Sequence, residues 1–231
     1  MVSNKNILIA QGGGPTNVIN QSLVGIIRQE KKYKSKILGS INGVNGIINN
    51  RFISLNKISE NDLKTIANTP GAALGSTRDK PDKKYCKEIL KILENKQISK
   101  FYYIGGNDSS DSLRIISEYA KDTKYKLQCI HIPKTIDNDL VCNDHTPGFG
   151  SAAKYVAQLF SGINYDVKSL PGVYLGIVMG RHAGFLTAAS SLLKKENDDG
   201  PNLIYIPESP FEMNTFLNQV KSIFNKYGRC V

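Results

Sequence analysis

The amino-acid sequence predicts an α/β fold with two lobes, mostly parallel sheets and helices on both faces. Short apolar runs rich in β-branched residues recur along the chain, and several of them end in glycine or proline. Segments with helical spacing of apolar residues follow these runs. Strands that alternate with helices in this way form parallel sheets, because helices make the crossover connections. At 231 residues the chain is long enough for one large or two modest domains.

The first predicted strand covers residues 6–10, and a glycine turn, QGGGPTN at residues 11–17, separates it from a helix. At such a junction backbone N–H groups can face an anion, and glycines permit its close approach. The spacing matches neither G-x-x-x-x-G-K-S/T nor G-x-G-x-x-G, so it favours neither a Walker-type nor a Rossmann nucleotide site. A tight turn without a ligand is the open alternative.

Three further loops follow before the middle of the chain. A second strand at residues 37–38 leads to a glycine-rich segment, residues 39–46, which we expect to be an exposed loop. The loop PGAALGSTR at residues 70–78 contains one strong anion binder, Arg78.

The third loop, GGNDSS at residues 105–110, follows a predicted strand at residues 99–104. Asn107 and Asp108 could hold a hard cation through oxygen, and Ser109 could cap the next helix. A capping role alone is the alternative for this loop.

The stretch PKTIDND, residues 133–139, follows the apolar run at residues 127–132. This pattern predicts a buried strand that delivers a polar loop to the edge of the sheet, where open parallel sheets carry their catalytic groups. The loop offers two carboxylates, one ammonium, one hydroxyl and one amide. That set is suited to deprotonating an alcohol beside a bound phosphate, and a solvated turn is the alternative.

The second half of the chain continues the alternation. A long helix begins around residues 146–151, a strand at residues 173–178 runs into MGRHAG, and a small-residue helix covers residues 185–193. A strand at residues 203–206 precedes an amphipathic helix at residues 213–227. The last residues read as the start of another strand.

Composition narrows the class of function. No apolar run approaches the roughly 18 residues that a membrane helix needs, and no signal peptide is evident, so we expect a cytoplasmic protein without a membrane partner. The four cysteines and three histidines lack metal-ligand spacing. The net charge of +10 suggests anionic partners, but no arginine-rich block or aromatic-basic pattern indicates nucleic acid.

Five loops, in their order along the chain, resemble the phosphofructokinases and within them the pyrophosphate-dependent branch. They are QGGGPT (11–16), GSTR (75–78), GGNDS (105–109), PKTIDND (133–139) and the segment from MGR (179–181) to Pro207-Glu208. PKTIDND and MGRxxG are highly specific, whereas the glycine loops are individually weak. The resemblance covers the whole chain.

The resemblance implies a phosphofructokinase-like fold and phosphoryl transfer from pyrophosphate to the C1 hydroxyl of fructose 6-phosphate with Mg²⁺, a step of glycolysis. It makes Asp137 the general base, with Lys134 as a second catalytic residue. The implied sugar-phosphate residues are Thr135, Ile136, Asp139, Met179, Gly180, Arg181 and Glu208. The implied diphosphate residues are Gly12, Gly13, Arg78 and Asp108. Asn107 stands at the implied magnesium position.

Two positions bear on the choice of donor. Members of the family that use ATP have glycines where this chain has Asp108 and Lys134. A carboxylate at Asp108 would take up space and repel charge where the α-phosphate of a nucleotide must lie, and Lys134 would add a cation beside a compact donor. Asn107 replaces the aspartate of most members, and its amide oxygen can ligate Mg²⁺ without contributing a negative charge.

The length of the chain is the larger departure from the family, whose members continue well beyond residue 231. We therefore expect a truncated chain, with a donor lobe at residues 1–140 and an incomplete sugar-phosphate lobe at residues 141–231. Such a chain would expose apolar surface, and the full-length protein is expected to be a homo-oligomer. The alternatives are an ATP-dependent phosphofructokinase and a non-catalytic or regulatory chain. The NAD and lipid kinases share a GGD-type loop but have no counterpart of PKTIDND.

Overall fold

The structure is a computed structural model that describes residues 6–231 and divides the chain into two compact units. The first unit extends to Lys134, and the second is Thr135–Val231. The division falls within PKTIDND rather than after residue 140. Lys134 therefore belongs to the first unit, whereas the residues from Thr135 onward belong to the second.

A five-stranded sheet forms the centre of the first unit. Its strands are β1 (Asn6–Gln11), β2 (Lys36–Ser40), β3 (Phe52–Ser54), β4 (Ile98–Gly105) and β5 (Gln128–Pro133). They lie in the order β3-β2-β1-β4-β5, and every pair is parallel except β2 with β3. The predicted, mostly parallel sheet is thus confirmed.

Helices cover both faces of this sheet. They are α1 (Ile19–Lys31), α2 (Gly43–Ile48), α3 (Glu60–Asn68), α4 (Lys83–Asn95) and α5 (Asn107–Asp122). Side chains alternate between the faces of a strand, so Leu8 and Ala10 of β1 pack with α2, α4 and α5, while Ile9 packs with α1 and α3. The sheet is therefore the middle layer of three.

The helices form where apolar residues recur on one side. In α4 the buried residues Cys86, Ile89, Leu90 and Leu93 follow i, i+3, i+4 and i+7 spacing, which places them on one face. The Asp82 side chain accepts a hydrogen bond from the Tyr85 backbone N–H at 2.8 Å and so caps the start of this helix.

The glycine-rich segment at residues 39–46 is not the exposed loop that the sequence predicts. It contains the end of β2 and the start of α2, and Gly39, Ser40, Gly43 and Gly46 are buried. A Cβ atom on Gly46 would collide with the carbonyl oxygen of Ile41. The glycines of this segment therefore serve close packing rather than exposure.

The second unit contains three helices and two short strands as described elements. These are α6 (Phe149–Ser169), β6 (Gly172–Val173), α7 (Phe185–Ala189), α8 (Met213–Tyr227) and β7 (Arg229–Cys230). The strands β6 and β7 pair in parallel. The last helix has the predicted bounds, and the predicted strand after it is β7. No helix within residues 6–231 is long and apolar enough to cross a membrane.

Two strand predictions in this unit are wrong. Of the run at residues 173–178 only Val173 is in a strand, and residues 203–206 form none. The Tyr174 N–H donates to Cys230 O at 2.8 Å and the Leu203 N–H donates to Val231 O at 3.2 Å, so each run meets the β7 region at one end. Ile177 is 93% exposed. An apolar run without neighbouring backbone along its length does not form a ladder.

Candidate active site

Three loops emerge side by side from the carboxyl ends of β1, β4 and β5. In the strand register, Gln11 of β1 pairs with Ile104 of β4, and Gly105 of β4 pairs with Pro133 of β5. The residues that follow these strands therefore meet at one edge of the sheet, as the sequence predicts for its polar loops. This edge lies beside the central strand β1, where open α/β sheets bind ligands.

The glycine turn after β1 is fixed by hydrogen bonds to its neighbours. The Gly12 N–H donates to Ile104 O at 2.9 Å, and the Gly13 N–H donates to Thr77 O at 2.9 Å. The Ser76 Oγ donates to Gly13 O at 2.5 Å. The sequence suggests that backbone amides of this turn face an anion, but these two amides bind protein carbonyl groups instead.

The glycines allow cationic side chains to approach the turn. The Lys134 Nζ lies 3.0 Å from the position that a Cβ on Gly13 would occupy, and Arg78 Nη2 lies 3.5 Å from that position on Gly14. Lys134 is buried, and its backbone N–H donates to Gly105 O at 3.0 Å. Two positive charges thus lie beside consecutive glycines, an arrangement suited to a compact anion.

The loop after β4 leads directly into α5. The helix begins at Asn107 with Gly106 at the N-cap and no side-chain cap, so the prediction that Ser109 caps it is wrong. Ser109 is buried inside the first turn, and its Oγ would lie 2.6 Å from a Cβ on Gly12, as would the Tyr103 hydroxyl. Burial raises the pKa of Tyr103 to about 12. These two hydroxyls explain why residue 12 must be glycine.

Asn107 and Asp108 occupy the exposed first turn of α5. The Asp108 Oδ2 pairs with Lys80 Nζ at 3.2 Å. Within residues 6–231 no three His, Cys, Asp or Glu side chains cluster as a metal site. Mg²⁺ commonly takes one or two protein oxygens together with substrate phosphates and water, so the exposed amide oxygen of Asn107 fits that ion, while the Asp108 carboxylate is paired with Lys80.

Two buried amides that sequence reasoning missed hold residues 69–74, which lead into the GSTR loop. The Gln11 Oε1 accepts the Leu74 N–H at 2.9 Å, and its Nε2 donates to Asn20 Oδ1 at 3.2 Å. Asn20 Oδ1 accepts the Ala73 N–H at 2.8 Å, and its Nδ2 donates to Thr69 O at 2.9 Å. In the sequence, the one indication of this role is that the amide of Asn20 interrupts the apolar stripe of α1.

In the second unit, Asn138 fixes the rest of PKTIDND. Its backbone has φ +57°, and its side chain is buried. Its Oδ1 accepts hydrogen bonds from the Thr146 N–H at 2.8 Å and the Thr146 hydroxyl at 3.1 Å, and its Nδ2 donates to Asp144 O at 3.2 Å. The motif itself does not indicate this anchoring role of Asn138, although asparagine is favoured at positive φ.

The neighbours of Asn138 carry the groups predicted to act on the sugar. The Asp137 N–H donates to Thr135 Oγ1 at 3.1 Å, and Ile136 packs in an apolar cluster with Leu186. The Oδ1 atoms of Asp137 and Asp139 are buried, and that of Asp139 has no hydrogen-bond partner among residues 6–231. The side chain of Ile136 thus anchors the loop by apolar packing.

Glu208 binds the end of the MGRHAG segment, residues 179–184. The Glu208 Oε1 accepts the Gly184 N–H at 2.8 Å. Gly180 has φ +120°, and a Cβ there would collide with Ala183 O, so glycine is required. Met179 and Arg181 are exposed in the same loop.

Comparison with known proteins identifies the family. The model of the family described as phosphofructokinase matches residues 6–230. The chain belongs to the phosphofructokinase family. It is 57% identical to the pyrophosphate–fructose 6-phosphate 1-phosphotransferase of Rhodospirillum rubrum, over 97% of this chain and 56% of that protein. It is 39% identical to the protein of the same name from Xanthomonas campestris, over 100% of this chain and 57% of that protein.

A solved phosphofructokinase has the same fold. The crystal structure of pyrophosphate-dependent phosphofructokinase from Marinobacter aquaeolei superposes with a TM-score of 0.86 at 36% identity, covering 98% of this chain and 59% of that one. The predicted phosphofructokinase-like α/β fold is thereby confirmed. The chain spans between half and two thirds of the length of these three relatives.

Proposed function

We propose that this phosphofructokinase transfers a phosphoryl group from pyrophosphate to the C1 hydroxyl of fructose 6-phosphate and so forms fructose 1,6-bisphosphate. The observation that carries the proposal is the pair of cations, Lys134 and Arg78, beside the consecutive glycines Gly13 and Gly14. Relatives named for this pyrophosphate reaction, at 57% and 39% identity, support it.

The donor residues act through charge and position. Lys134 is 5% exposed, so its ammonium group acts in a medium of lower dielectric constant than water, where its attraction for a phosphate oxygen is stronger. Arg78 is exposed and can bind two oxygens of one phosphate. Mg²⁺, held by the amide oxygen of Asn107 together with phosphate oxygens and water, would neutralise charge on the donor.

On the acceptor side, Asp137 takes the proton of the C1 hydroxyl as that oxygen forms its bond to the transferred phosphorus. The bond between this phosphorus and the bridging oxygen breaks, and inorganic phosphate leaves. The orienting contacts to the sugar phosphate come from Thr135, the Ile136 backbone, Asp139, Met179, Gly180, Arg181 and Glu208. We propose the cytoplasm as the site of this glycolytic step and a homo-oligomer as its form.

An assay of the 231-residue chain for fructose 1,6-bisphosphate, first with pyrophosphate and then with ATP, tests the proposal. We expect turnover with pyrophosphate and at least about a hundredfold less with ATP. An effect of this size is expected when a carboxylate such as that of Asp108 repels a phosphate of the nucleotide. Turnover with ATP alone would contradict the donor assignment. Calorimetric titration with pyrophosphate accompanies the assay, and binding without turnover would indicate a non-catalytic chain.

A further inference from the structure

We propose that Lys80 is a specificity-determining residue of the donor site, because it neutralises Asp108 and holds that carboxylate at the start of α5. The inference rests on the proposed pyrophosphate reaction. Its central observation is the 3.2 Å ion pair between Lys80 Nζ and Asp108 Oδ2. Neither composition nor motif distinguishes Lys80 from the other exposed lysines of its segment.

Hydrogen bonds hold Asp79, the residue before Lys80, in place. The Oδ2 of Asp79 accepts hydrogen bonds from Asn45 Nδ2 at 3.2 Å and from the Tyr85 hydroxyl at 3.1 Å. The Asp79 N–H donates to Thr77 Oγ1 at 3.1 Å. The backbone around residue 79 is thus attached to α2, to α4 and to the GSTR loop. Arg78 and Lys80, on either side of this anchor, reach Gly14 and Asp108 respectively.

Asp108 has two opposite effects on a phosphate donor. Its carboxylate opposes a nucleotide at the place that a bare pyrophosphate leaves empty, but its negative charge also opposes pyrophosphate itself. A cation paired with the Asp108 carboxylate removes much of the repulsion of pyrophosphate. The exclusion of a nucleotide remains, because it depends on the space that the carboxylate fills. Lys80 is the residue that the structure places in that position.

The ion pair is exposed, with 62% of the Lys80 side chain and 58% of the Asp108 side chain accessible. Exposed pairs contribute little to folding stability. Loss of Lys80 should therefore change pyrophosphate binding and leave thermal stability almost unchanged. This separation distinguishes a donor-site role from a structural one.

The experiment is calorimetric titration of the 231-residue chain with pyrophosphate at low ionic strength. We expect K80M to raise the Kd about five- to tenfold, and the matched control K83M, which removes an exposed lysine at the start of α4, to raise it less than about twofold. Adding D108N to K80M should bring the Kd back to within about twofold of the unsubstituted chain, because the unpaired charge is then gone. The melting temperatures of K80M and K83M should agree.

Equal Kd values for K80M and K83M would overturn the inference, since Lys80 would then contribute only general charge. Failure of D108N to restore binding to K80M would also overturn it, because Lys80 would then act without Asp108. If the unsubstituted chain binds no pyrophosphate, the proposed function fails and this inference fails with it. The first two results leave pyrophosphate binding intact, so they are distinguishable from the third.

Discussion

Replacement of Asn138 by glycine should weaken the second unit and slow turnover. The change removes two buried hydrogen bonds to Thr146 and one partly buried hydrogen bond to Asp144. Glycine accepts φ +57° without strain, so the change isolates the side-chain bonds from the backbone conformation. At about 0.5–1.5 kcal/mol for each net hydrogen bond, we expect the free energy of unfolding to fall by about 1.5–4.5 kcal/mol.

The functional effect follows from the position of Asn138 between Asp137 and Asp139. Once Asn138 no longer holds the loop, the carboxylates sample more orientations, and we expect kcat to fall at least about tenfold. The KM for pyrophosphate should change little, because the donor residues Gly13 and Arg78 lie in the first unit.

Asn50 provides the matched control. It has φ +53° and is exposed, so Asn50→Gly makes the same chemical change at a similar backbone conformation. Its free energy of unfolding in urea should stay within about 0.5 kcal/mol of the unsubstituted chain, with kcat unchanged. Thr146→Val should reproduce part of the Asn138→Gly effect, and Thr146→Ser should not. Equal unfolding energies and kcat values for the two asparagine variants would refute the reasoning.

Three other variants test separate parts of the site and fold. Asp137→Asn should lower kcat by about 10²–10⁴ with pyrophosphate binding unchanged by calorimetry, and an unchanged kcat would remove this residue from the role of base. Asp108→Gly combined with Lys134→Gly should raise ATP-dependent turnover relative to pyrophosphate-dependent turnover, and failure to do so would place donor choice elsewhere. Hydrogen bonds from Lys168 and the backbone hold the pKa of Asp199 well below its usual range. The ionised Asp199 carboxylate therefore stabilises the fold above the pKa of an unfolded aspartate, about 4, and this stabilisation is lost as the pH falls toward the lower folded-state pKa. Asp199→Asn should make the acid-unfolding curve, measured by circular dichroism, less steep. Identical curves for the two chains would contradict this.

The central strands could be predicted because strands buried on both faces read as continuous apolar runs. β1 fits that description and ends just before Gly12. β4 and β5 also end at glycine and proline, but β4 is buried only in part and no residue of β5 is fully buried, so the prediction of a buried strand before PKTIDND is wrong in its burial. The run at residues 203–206 looks the same in sequence but forms no strand. Strand formation depends on neighbouring backbone, which local pattern does not encode.

The candidate site was predictable only in part for a related reason. Motifs indicate residue types such as the carboxylate of Asp137, but they do not show which polar groups are already occupied by the protein. The contacts of the Gly12 and Gly13 amides and of Lys80 join segments distant in sequence, and those of Asn138 join the two ends of one loop. Three-dimensional structure is needed to separate ligand-facing groups from those that hold the loops.

The hydrogen bonds of the Gly12 and Gly13 amides bear on how donor preference can change. Where backbone amides bind phosphate, as in a P-loop, altering the preference requires a new loop conformation. Here these amides are engaged with carbonyl groups of the protein, and the charges around the turn belong to side chains. The proposed donor preference therefore rests on side chains, so substitutions can alter it on an unchanged backbone, which makes this edge of the sheet a practical target for directed evolution.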